Sequence, residues 1–432
     1  MTKNIVAALD LGTTKVCVVI AEKTGNDQYT VLGYGTAKSE GMTKGMIMNV
    51  GRTVDAIREA VEIAETRAGI KIRTVNVGVA GEHISSLRHR NYVTITNAEH
   101  EVTEDDLVRL DKDVRLIKLP PEKQILHIIQ EEFIVDDQNG IDDPIGMTGI
   151  KLEALNYIVL AGNSAVTNLK KVVEKAGLQV SDLILQPIAS AQSVLEDNEA
   201  DLGVLLIDIG GGTTDIAIVH HNTIKYSKVF GIAGNLVTND IREALGVVTD
   251  EAEDLKRKYG YATESAFVHD EDILIKGVGA RGSTHIPLSL LTQIVGSRMK
   301  ELFELIEIDI RSSGHKNKIR AGIILTGGGS MLKGATDLAF TVFSLPARLG
   351  VPLQSLTKNF PELEKPEFAT VLGLLRGTPG KEGSASVPYE IPEKKETPAQ
   401  PETAPEKPTP AASKKNSGKG VISNIIDFFK NF

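Results

Sequence analysis

Two short segments of this chain share one pattern, and this internal repeat limits the folds that the chain can adopt. Residues 5–20 read IVAALDLGTTKVCVVI, and residues 204–219, about 200 positions later, read VLLIDIGGGTTDIAIV. Each segment is an apolar strand that ends in aspartate, followed by a Gly/Thr turn and a second apolar strand. Two such hairpins predict two related halves, each built on a mixed β-sheet.

Strand-like and helix-like stretches alternate over residues 1–376, which is an α/β pattern. The strand-like runs are IVAALD, VCVVIA, VNVGVA, NYIVLA, GVLLID, IAIVH and AGIILTG. Residues 377–418 differ, because Pro, Glu, Lys, Ala, Ser and Thr dominate them. Such a segment buries too little apolar surface to fold, so a disordered linker is predicted there.

Composition excludes several classes of protein. The formal net charge is −9, whereas a nucleic-acid-binding protein needs a basic surface. Cys17 is the single cysteine and predicts a buried position in a reducing compartment. The N-terminus lacks the pattern of a signal peptide, and no stretch approaches the roughly 20 apolar residues of a membrane-spanning helix. These features predict a cytoplasmic protein.

The two hairpin turns have the chemistry of a phosphate site. Glycine lets the backbone approach a phosphate, threonine adds hydroxyl donors, and Lys15 adds a positive charge for the β- and γ-phosphates. Asp10 and Asp208 end the two strands and are predicted to hold Mg²⁺ through water. Taken singly, each turn also fits an ordinary tight β-turn. The predicted phosphate-binding residues are Gly12, Thr13, Thr14, Lys15, Gly211, Gly212, Thr213 and Thr214.

Four further segments bear on this site. In ILTGGGSMLKGA (324–335), Gly327, Gly328 and Gly329 allow close approach to an adenosine, and Ser330 is predicted to cap a helix. Glu253 and Lys256 share one face of a helix; a solvated ion pair is the alternative. Residues 185–195 and 368–377 form predicted helices whose small side chains permit close packing between the two halves.

As an ordered set, these segments resemble the actin, hexokinase and heat-shock-chaperone ATPase superfamily. The resemblance implies an actin-like (ribonuclease H-like, duplicated) two-lobed α/β fold with ATP between the lobes. It matches residues 10–15 and 208–215 to the phosphate motifs and 326–330 to the adenosine motif. It also implies that Glu253 and Lys256 lie near the ribose and adenine.

Within that superfamily the whole chain resembles the FtsA family of bacterial cell-division proteins. The segments that carry the resemblance are AALDLGTTKV, NVGVAGEHI, GNSAVTNLKKVVEKAGL, DIGGGTTDIAIV, GNLVTNDI, AEDLK, LTGGGS and the C-terminal tail. It implies an ATP-binding scaffold, not an enzyme, with slow ATP hydrolysis at most. It further implies a polymer that ties the FtsZ ring to the cytoplasmic face of the cell membrane at the septum and recruits later division proteins.

The resemblance also implies a domain layout with an inserted α+β subdomain. Within that subdomain, Thr103 and Asp106 predict a capping box at a helix start. The predicted ranges are 1–82 and 163–192 for the core of lobe 1, 83–162 for the inserted subdomain, 193–230 and 307–376 for the core of lobe 2, 231–306 for its second subdomain, 377–418 for the linker and 419–432 for a membrane-targeting helix.

Three other functions share the nucleotide site and remain open at this point. A small-molecule kinase of the superfamily does not explain the linker and apolar tail. A chaperone-type ATPase needs a folded peptide-binding domain after the second lobe, which residues 378–432 do not supply. A pilus-assembly actin homologue shares the fold and the inserted subdomain but is expected to lack the tail.

The last twelve residues predict an amphipathic helix. At 100° per residue, the polar and apolar side chains separate without mixing, and the apolar arc spans about 160°. A helix packed on the protein's own core is the alternative, although the linker before it argues for a more distant target. The predicted membrane-contacting residues are Val421, Ile422, Ile425, Ile426, Phe428, Phe429 and Phe432.

Residues 288–306 predict a second amphipathic helix, with Leu291, Ile294, Val295, Leu302 and Leu305 along one face. Arg298 falls within that stripe, where it is either paired internally or free for a partner. The resemblance implies that this lobe binds the acidic C-terminal peptide of FtsZ. Arg298 and Lys300 are the predicted contacts.

Overall fold

A computed structural model describes residues 4–25, 28–266, 269–276 and 282–379, with the backbone of Tyr389 and Glu390. The predicted linker, 377–418, therefore lies almost entirely outside the described residues. The predicted membrane helix, 419–432, lies wholly outside them.

The described elements are numbered in chain order. The strands are β1 (Ile5–Leu11), β2 (Lys15–Gly25), β3 (Gln28–Lys38), β4 (Met42–Thr43), β5 (Met46–Ile47), β6 (Lys71–Ile72), β7 (Thr74–Val79), β8 (Ser85–Thr94), β9 (Lys123–Val135), β10 (Gln138–Ile141), β11 (Lys151–Gly162), β12 (Gln179–Leu185), β13 (Val204–Ile209), β14 (Thr214–His220), β15 (Thr223–Phe230), β16 (Asp272–Ile275), β17 (Thr284–Pro287), β18 (Gly322–Thr326), β19 (Ala347–Leu349) and β20 (Tyr389–Glu390). The α-helices are α1 (Val50–Ala68), α2 (Glu104–Val114), α3 (Asn163–Lys175), α4 (Gln186–Val194), α5 (Asp197–Leu202), α6 (Gly234–Leu245), α7 (Thr249–Tyr259), α8 (Leu288–Ser313), α9 (Ala335–Phe343), α10 (Gln354–Thr357) and α11 (Ala369–Gly373).

The predicted duplication is present in the strand topology. One five-stranded sheet has the order β12-β7-β1-β2-β3, and the other has the order β15-β14-β13-β18-β19. In the first, β1 pairs antiparallel with β2 and parallel with β7. In the second, β13 pairs antiparallel with β14 and parallel with β18. Both halves therefore place one hairpin turn at the same end of a central strand.

Small residues set how closely helix α1 approaches the first sheet. A methyl group on Gly35 would lie 2.0 Å from the carbonyl oxygen of Ala60, and one on Gly33 would lie 2.6 Å from that of Ala64. Larger side chains at either position would push the helix away and open the core. The sequence GYG within β3 thus fixes this helix–sheet contact.

A four-stranded antiparallel sheet, β10-β9-β11-β8, is inserted between β7 and α3. Helix α2 packs on it and begins at the predicted capping box, where the backbone N–H of Thr103 donates to Asp106 Oδ2 at 2.9 Å. The expected strands at NYVTI, QILHIIQEEFIV and NYIVLA are all present.

Helices α4 and α11 cross between the two five-stranded sheets. A methyl group on Gly373 would lie 1.7 Å from the carbonyl oxygen of Ala189, so only glycine permits this approach. Ser193 Oγ donates to the carbonyl of Ala369 at 2.6 Å and joins the two helices at a second point. The predicted close packing of small residues is confirmed. Cys17 is buried in the same apolar cluster.

Helix α8 is longer than predicted, and its buried stripe differs from the predicted one. Leu291, Val295 and Leu302 are buried as expected, but Leu305 is 38% exposed. Met299 and Ile306 take the positions next to Leu302 in the core. An α-helix has 3.6 residues per turn. The buried stripe of α8 therefore leaves Leu305 to one side and runs through Leu291, Val295, Met299, Leu302 and Ile306.

Candidate nucleotide-binding site

Both hairpin turns close through the same backbone hydrogen bond. The N–H of Gly12 donates to the carbonyl of Lys15 at 3.0 Å, and that of Gly210 donates to the carbonyl of Thr213 at 2.9 Å. A methyl group on Gly12 would lie 2.6 Å from the Lys15 oxygen. The Gly-Thr composition therefore produces two tight turns of one type.

The two turns lie directly against each other. A methyl group on Gly211 would be 2.4 Å from Thr14 Cγ2, and one on Gly212 would be 2.4 Å from Thr13 Oγ1. The structure thus brings the predicted phosphate-binding residues of both halves together. A triphosphate between these turns requires them to separate.

The triple-glycine loop lies behind the second turn. Gly327 has φ +79°, and a methyl group there would be 2.3 Å from Asp208 Oδ1. A methyl group on Gly329 would meet Ile209 Cγ2 at 2.4 Å, whereas one on Gly328 would meet only Glu367 Cβ, at 4.0 Å. This loop and the second turn form one unit because no side chain separates them.

Ser330 does not cap a helix as predicted. It lies inside a short 3₁₀ helix, Gly328–Met331, and its hydroxyl donates to the carbonyl of Gly327 at 2.7 Å. Helix α9 begins four residues after Met331, following Gly334 in the left-handed conformation (φ +75°). The glycines let the chain make this extra turn, so Ser330 closes the loop rather than starting the helix.

Glu253 and Lys256 face each other on α7. Lys256 Nζ lies 2.7 Å from Glu253 Oε2, and Thr238 joins the pair by donating to Glu253 at 2.6 Å and accepting from Lys256 at 2.8 Å. Although desolvation opposes it, the Lys256 ammonium, aided by hydrogen bonds from Arg257, Lys256 and Thr238, lowers the pKa of Glu253 to about 2. The pair is therefore held by defined hydrogen bonds, unlike the solvated ion pair that was the alternative.

Backbone hydrogen bonds connect this pair to the second turn. Lys256 Nζ donates to the carbonyl of Gly234 at 3.0 Å. The N–H groups of Gly234 and Asn235 donate to the carbonyls of Gly210 and Gly211 at 3.0 and 2.8 Å. Glu253 and Lys256 are therefore linked to the second turn through Gly234.

The strand-ending aspartates have different hydrogen-bond partners. Gln186 Nε2 donates to Asp10 Oδ1 at 2.8 Å. Asp208 Oδ2 accepts from Ser190 Oγ at 2.7 Å and from Thr370 Oγ1 at 3.1 Å, so the crossing helices α4 and α11 reach both sides of the site.

Three carboxyl groups of the site have raised pKa values. Desolvation, then the nearby Asp208 carboxylate, raises the pKa of Asp10 to about 7. Desolvation also raises the pKa of Asp208 and, together with Asp208, holds the pKa of Asp215 well above its ordinary value. The site therefore concentrates negative charge that a cation would stabilise.

These groups fit a nucleotide with its magnesium ion. Asp215 Oδ1 is buried without a hydrogen-bond partner among the described residues, which marks a place for a positive charge or a water held by one. Within the described part of the chain, no three His, Cys, Asp or Glu side chains converge to hold a metal by themselves. Contact of Asp10 and Asp208 with Mg²⁺ through water stays a prediction, since Mg²⁺ keeps several of its waters in protein sites.

Lys15 is engaged away from the turns. Its Nζ lies 2.9 Å from Glu367 Oε2 and 3.2 Å from the Glu367 carbonyl oxygen, and it sits 3.9 Å from the centre of the Phe368 ring. Glu367 and Phe368, the two residues before α11, thus hold the cation that was predicted for the phosphates.

Sequence reasoning missed three residues of the site. Asp215 is the second aspartate of DIGGGTTD and lies directly opposite Asp208 in the β13–β14 register, a relation that the hairpin pattern contained. Gln186 directly precedes the proline of α4. Glu367 lies about 350 residues from Lys15, and no local signal links the two.

The residues predicted to contact an acidic peptide lie on α8. Arg298 donates to Asp240 Oδ2 and Oδ1 at 2.6 and 2.9 Å and also contacts Glu301, so it is paired internally. Lys300 lies 3.8 Å from Glu304 and is exposed. Arg298 borders a groove of about 360 Å³ between α6 and α8 that also includes Ile294.

Comparison with solved structures defines the class of protein. The fold is similar to a chain of the PilM–PilN type IV pilus biogenesis complex, with a TM-score of 0.61, 18% identity, and coverage of 86% of this chain and 97% of that one. It is also similar to MreB5 of Spiroplasma citri solved bound to ADP, with a TM-score of 0.52, 16% identity, and coverage of 86% and 94%. The chain therefore has the actin-like fold.

Sequence comparison identifies the family. The family model "Cell division protein FtsA" matches residues 205–373, and "SHS2 domain inserted in FTSA" matches residues 81–160. The chain is 39% identical to the cell division protein FtsA of Pseudomonas aeruginosa over 86% of its own length and 88% of that protein. It is 33% identical to the Escherichia coli (strain K12) protein over 86% and 90%. The chain belongs to the FtsA family.

Membership in this family confirms an actin-like cell-division protein and does not favour the kinase or pilus-assembly alternatives. The matched SHS2 segment covers the inserted four-stranded sheet except for the last two residues of β11. No helix of the described residues is long and apolar enough to cross a membrane. The domain limits and the roles of individual site residues remain predictions.

Proposed function

We propose that this protein is an ATP-binding scaffold that ties the FtsZ ring to the cytoplasmic face of the membrane at the division septum. The observation that carries the nucleotide part is the face-to-face contact of the two Gly/Thr turns, with three desolvated carboxyl groups beside them. The ADP-bound state of the MreB5 relative in fold agrees with this use of the cleft.

Each group of residues has a distinct part in binding. Backbone N–H groups of the turns and hydroxyls of Thr13, Thr14, Thr213 and Thr214 would contact the phosphates. Asp10 and Asp208 would hold the waters of Mg²⁺, which neutralises phosphate charge when bound. Gly327, Gly328 and Gly329 leave room for the adenosine, while Glu253 and Lys256 lie next to it.

Calorimetry with ATP and Mg²⁺ tests this site. Gly212→Val places side-chain atoms in the space between the turns and should abolish binding, because Thr13 Oγ1 lies 2.4 Å from where its first carbon would stand. Gly282→Val makes the same change at a glycine outside the predicted site, where a methyl group would meet no atom within 4 Å, and serves as the matched control. A wild-type protein that binds no ATP would refute the proposal.

We expect the bound nucleotide to act by closing the lobes and favouring polymer contacts, with hydrolysis slow or dispensable. This expectation is read from the family resemblance rather than from a catalytic group in the cleft. Rapid ATP turnover that depends on a small-molecule acceptor would instead favour a kinase.

The membrane part of the proposal rests on residues 421–432. Each large side chain half-buried in the lipid interface contributes about 1 kcal/mol, which ordering of the helix partly offsets. Lys414, Lys415, Lys419 and Lys430 add up to about 1 kcal/mol each near anionic lipid. One tail therefore binds weakly, and a polymer of many tails binds firmly through avidity.

Co-sedimentation with anionic vesicles tests the tail. The double change Phe428→Glu and Phe429→Glu should release the protein from vesicles. The double change Ser423→Glu and Asn424→Glu adds the same charge to the predicted polar face and should retain most binding. Equal release by both would show that charge rather than the apolar face decides binding, and equal vesicle binding by wild type and a polymerisation-defective variant would refute avidity.

The groove between α6 and α8 is the proposed site for the acidic C-terminal peptide of FtsZ. Lys300 is exposed on the same helix, and Arg298 can donate to a peptide carboxylate by sharing its contact with Asp240 or Glu301. Arg298→Glu should weaken capture of the peptide. Arg311→Glu, which changes an arginine on the same helix away from the groove, should not. Normal capture by Arg298→Glu would remove Arg298 from the site.

A further inference from the structure

The inserted sheet contacts both five-stranded sheets at points away from the hairpin turns. Strand β9 approaches β12 of the first sheet and β15 of the second. Both of these strands lead directly to the nucleotide-binding site proposed above, on which this inference rests.

On the first side, His127 of β9 holds the start of helix α4. The buried backbone N–H of Leu185 donates to His127 Nε2 at 3.0 Å. The first N–H groups of a helix lack intrahelical partners, so this imidazole supplies an acceptor that the helix itself cannot. The next residue, Gln186, donates to Asp10 in the first turn at 2.8 Å.

On the second side, Tyr157 of β11 holds strand β15. The N–H of Ser227 donates to the Tyr157 hydroxyl at 2.9 Å, and the Ser227 hydroxyl lies 3.0 Å from it. The buried Lys225 adds a bond from its Nζ to the carbonyl of Glu131 at 3.2 Å. Strand β15 then continues to Phe230, which pairs with Thr214 in the second turn.

The His127 and Tyr157 contacts lie close together on the inserted sheet. In the β9–β11 ladder, His127 stands opposite Val159, and Tyr157 stands opposite Ile129, so the contacts are two residues apart on paired strands. A hydrogen-bonded ladder resists stretching over so short a span. The distance between the start of α4 and the middle of β15 is therefore set by the inserted sheet.

We infer that the inserted sheet positions the two turns of the nucleotide site, with His127 acting on the first turn through Gln186 and Tyr157 acting on the second through β15. Phosphates enter only when the turns separate, and separation pulls on both contacts. The inserted sheet thus sets how easily the cleft accepts a nucleotide, and it is itself shifted when the cleft does so.

Substitution of His127 tests the first contact. His127→Leu removes the acceptor, so separation of the turns no longer strains this contact, and ATP affinity should rise about fivefold, in the range of coupling between distant sites. His127→Gln keeps an acceptor oxygen and should return the affinity most of the way to that of wild type. Adding Tyr157→Phe to His127→Leu should raise affinity by less than the product of the two single gains, because each contact resists separation only while the other holds.

Hydrogen exchange without nucleotide provides a second readout that does not depend on ATP. His127→Leu should speed exchange at residues 10–15 and 185–189, and Tyr157→Phe should speed it at 210–214. Asn156→Leu is the structural control, because Asn156 donates to Asn91 inside the inserted sheet at 2.9 Å and contacts neither turn. It should destabilise that sheet without changing ATP affinity.

The outcomes separate this inference from the proposed function. If wild type binds no ATP, the proposed function fails, and the exchange pattern alone decides the positioning role. Unchanged affinity and unchanged exchange at both turns in His127→Leu would overturn the inference. A loss of ATP affinity in His127→Leu, or an equal change in His127→Leu and Asn156→Leu, would also overturn it, since general destabilisation would then explain the effect.

Discussion

The first and second hairpin turns share their backbone bond but differ in what holds them in place. The second turn is fixed from behind by backbone hydrogen bonds from Gly234 and Asn235 and by direct contact with Gly327. The first turn has one backbone bond from outside the hairpin, from Ser39 to Thr14 at 3.0 Å, and relies on side chains for the rest.

This difference indicates which turn moves when the cleft opens. Backbone bonds and glycine contacts leave little freedom, whereas side-chain contacts such as Lys15 with Glu367 rearrange at low cost. The repeat thus supplies two similar turns, and their surroundings make the second the fixed half and the first the adjustable half.

Gly327→Ala should have the largest effect, because it breaks the support of the second turn. Its new methyl group would stand 2.3 Å from Asp208 Oδ1 at a positive φ, which should cost about 3 kcal/mol. Hydrogen exchange of β13 and β18 amides measures the local loss. Gly328→Ala, whose methyl group would meet only Glu367 Cβ at 4.0 Å, should stay within about 1 kcal/mol of wild type. Equal losses would mean that the loop is not packed on the turn.

Asp10→Asn should have the next largest effect and depends on pH. The folded pKa of Asp10 is raised from 3.8 to about 7, so its contribution to stability is fully present below pH 3.8 and lost as pH rises to about 7. Without Mg²⁺ at about pH 8, Asp10→Asn should therefore stabilise the protein, on the order of 2 kcal/mol.

Urea unfolding in EDTA across pH checks this result, and the advantage of Asp10→Asn should vanish as pH falls toward 4. Asp208→Asn should gain less, because hydroxyls of Ser190 and Thr370 already stabilise the Asp208 carboxylate. A gain at Asp208 as large as that at Asp10 would contradict the distinction between the two turns.

Glu367→Gln should have the smallest effect. It weakens the hold on Lys15 in a partly exposed pair, so stability should change by less than about 1 kcal/mol. ATP affinity should rise about two- to threefold, because Lys15 would then give up a hydrogen bond rather than an ion pair when it contacts the phosphates. Glu362→Gln changes a neighbouring carboxylate that contacts Tyr34 instead and should leave ATP affinity unchanged.

The sequence predicted the parts of this protein that depend on local patterns. The hairpins at 5–20 and 204–219 followed from apolar runs and turn residues, and the capping box at Thr103 was read directly. Patterns spread over the whole chain supported the family. The predictions that Ser330 caps a helix and that Leu305 belongs to the buried stripe of α8 were wrong. Both depend on the path of the chain beyond the local motif.

The amino-acid sequence by itself determined the two turns and their chemistry, because tight turns and short strands are set by neighbouring residues. Only the tertiary structure decided that Glu367 holds Lys15 and that Asp215 joins the carboxyl cluster. It also decided that His127 bonds to the start of α4 and that Tyr157 bonds to β15. These contacts join residues about 60 to 350 positions apart, or depend on desolvation by such neighbours. Packing of the sheets creates them, and no local spacing encodes them.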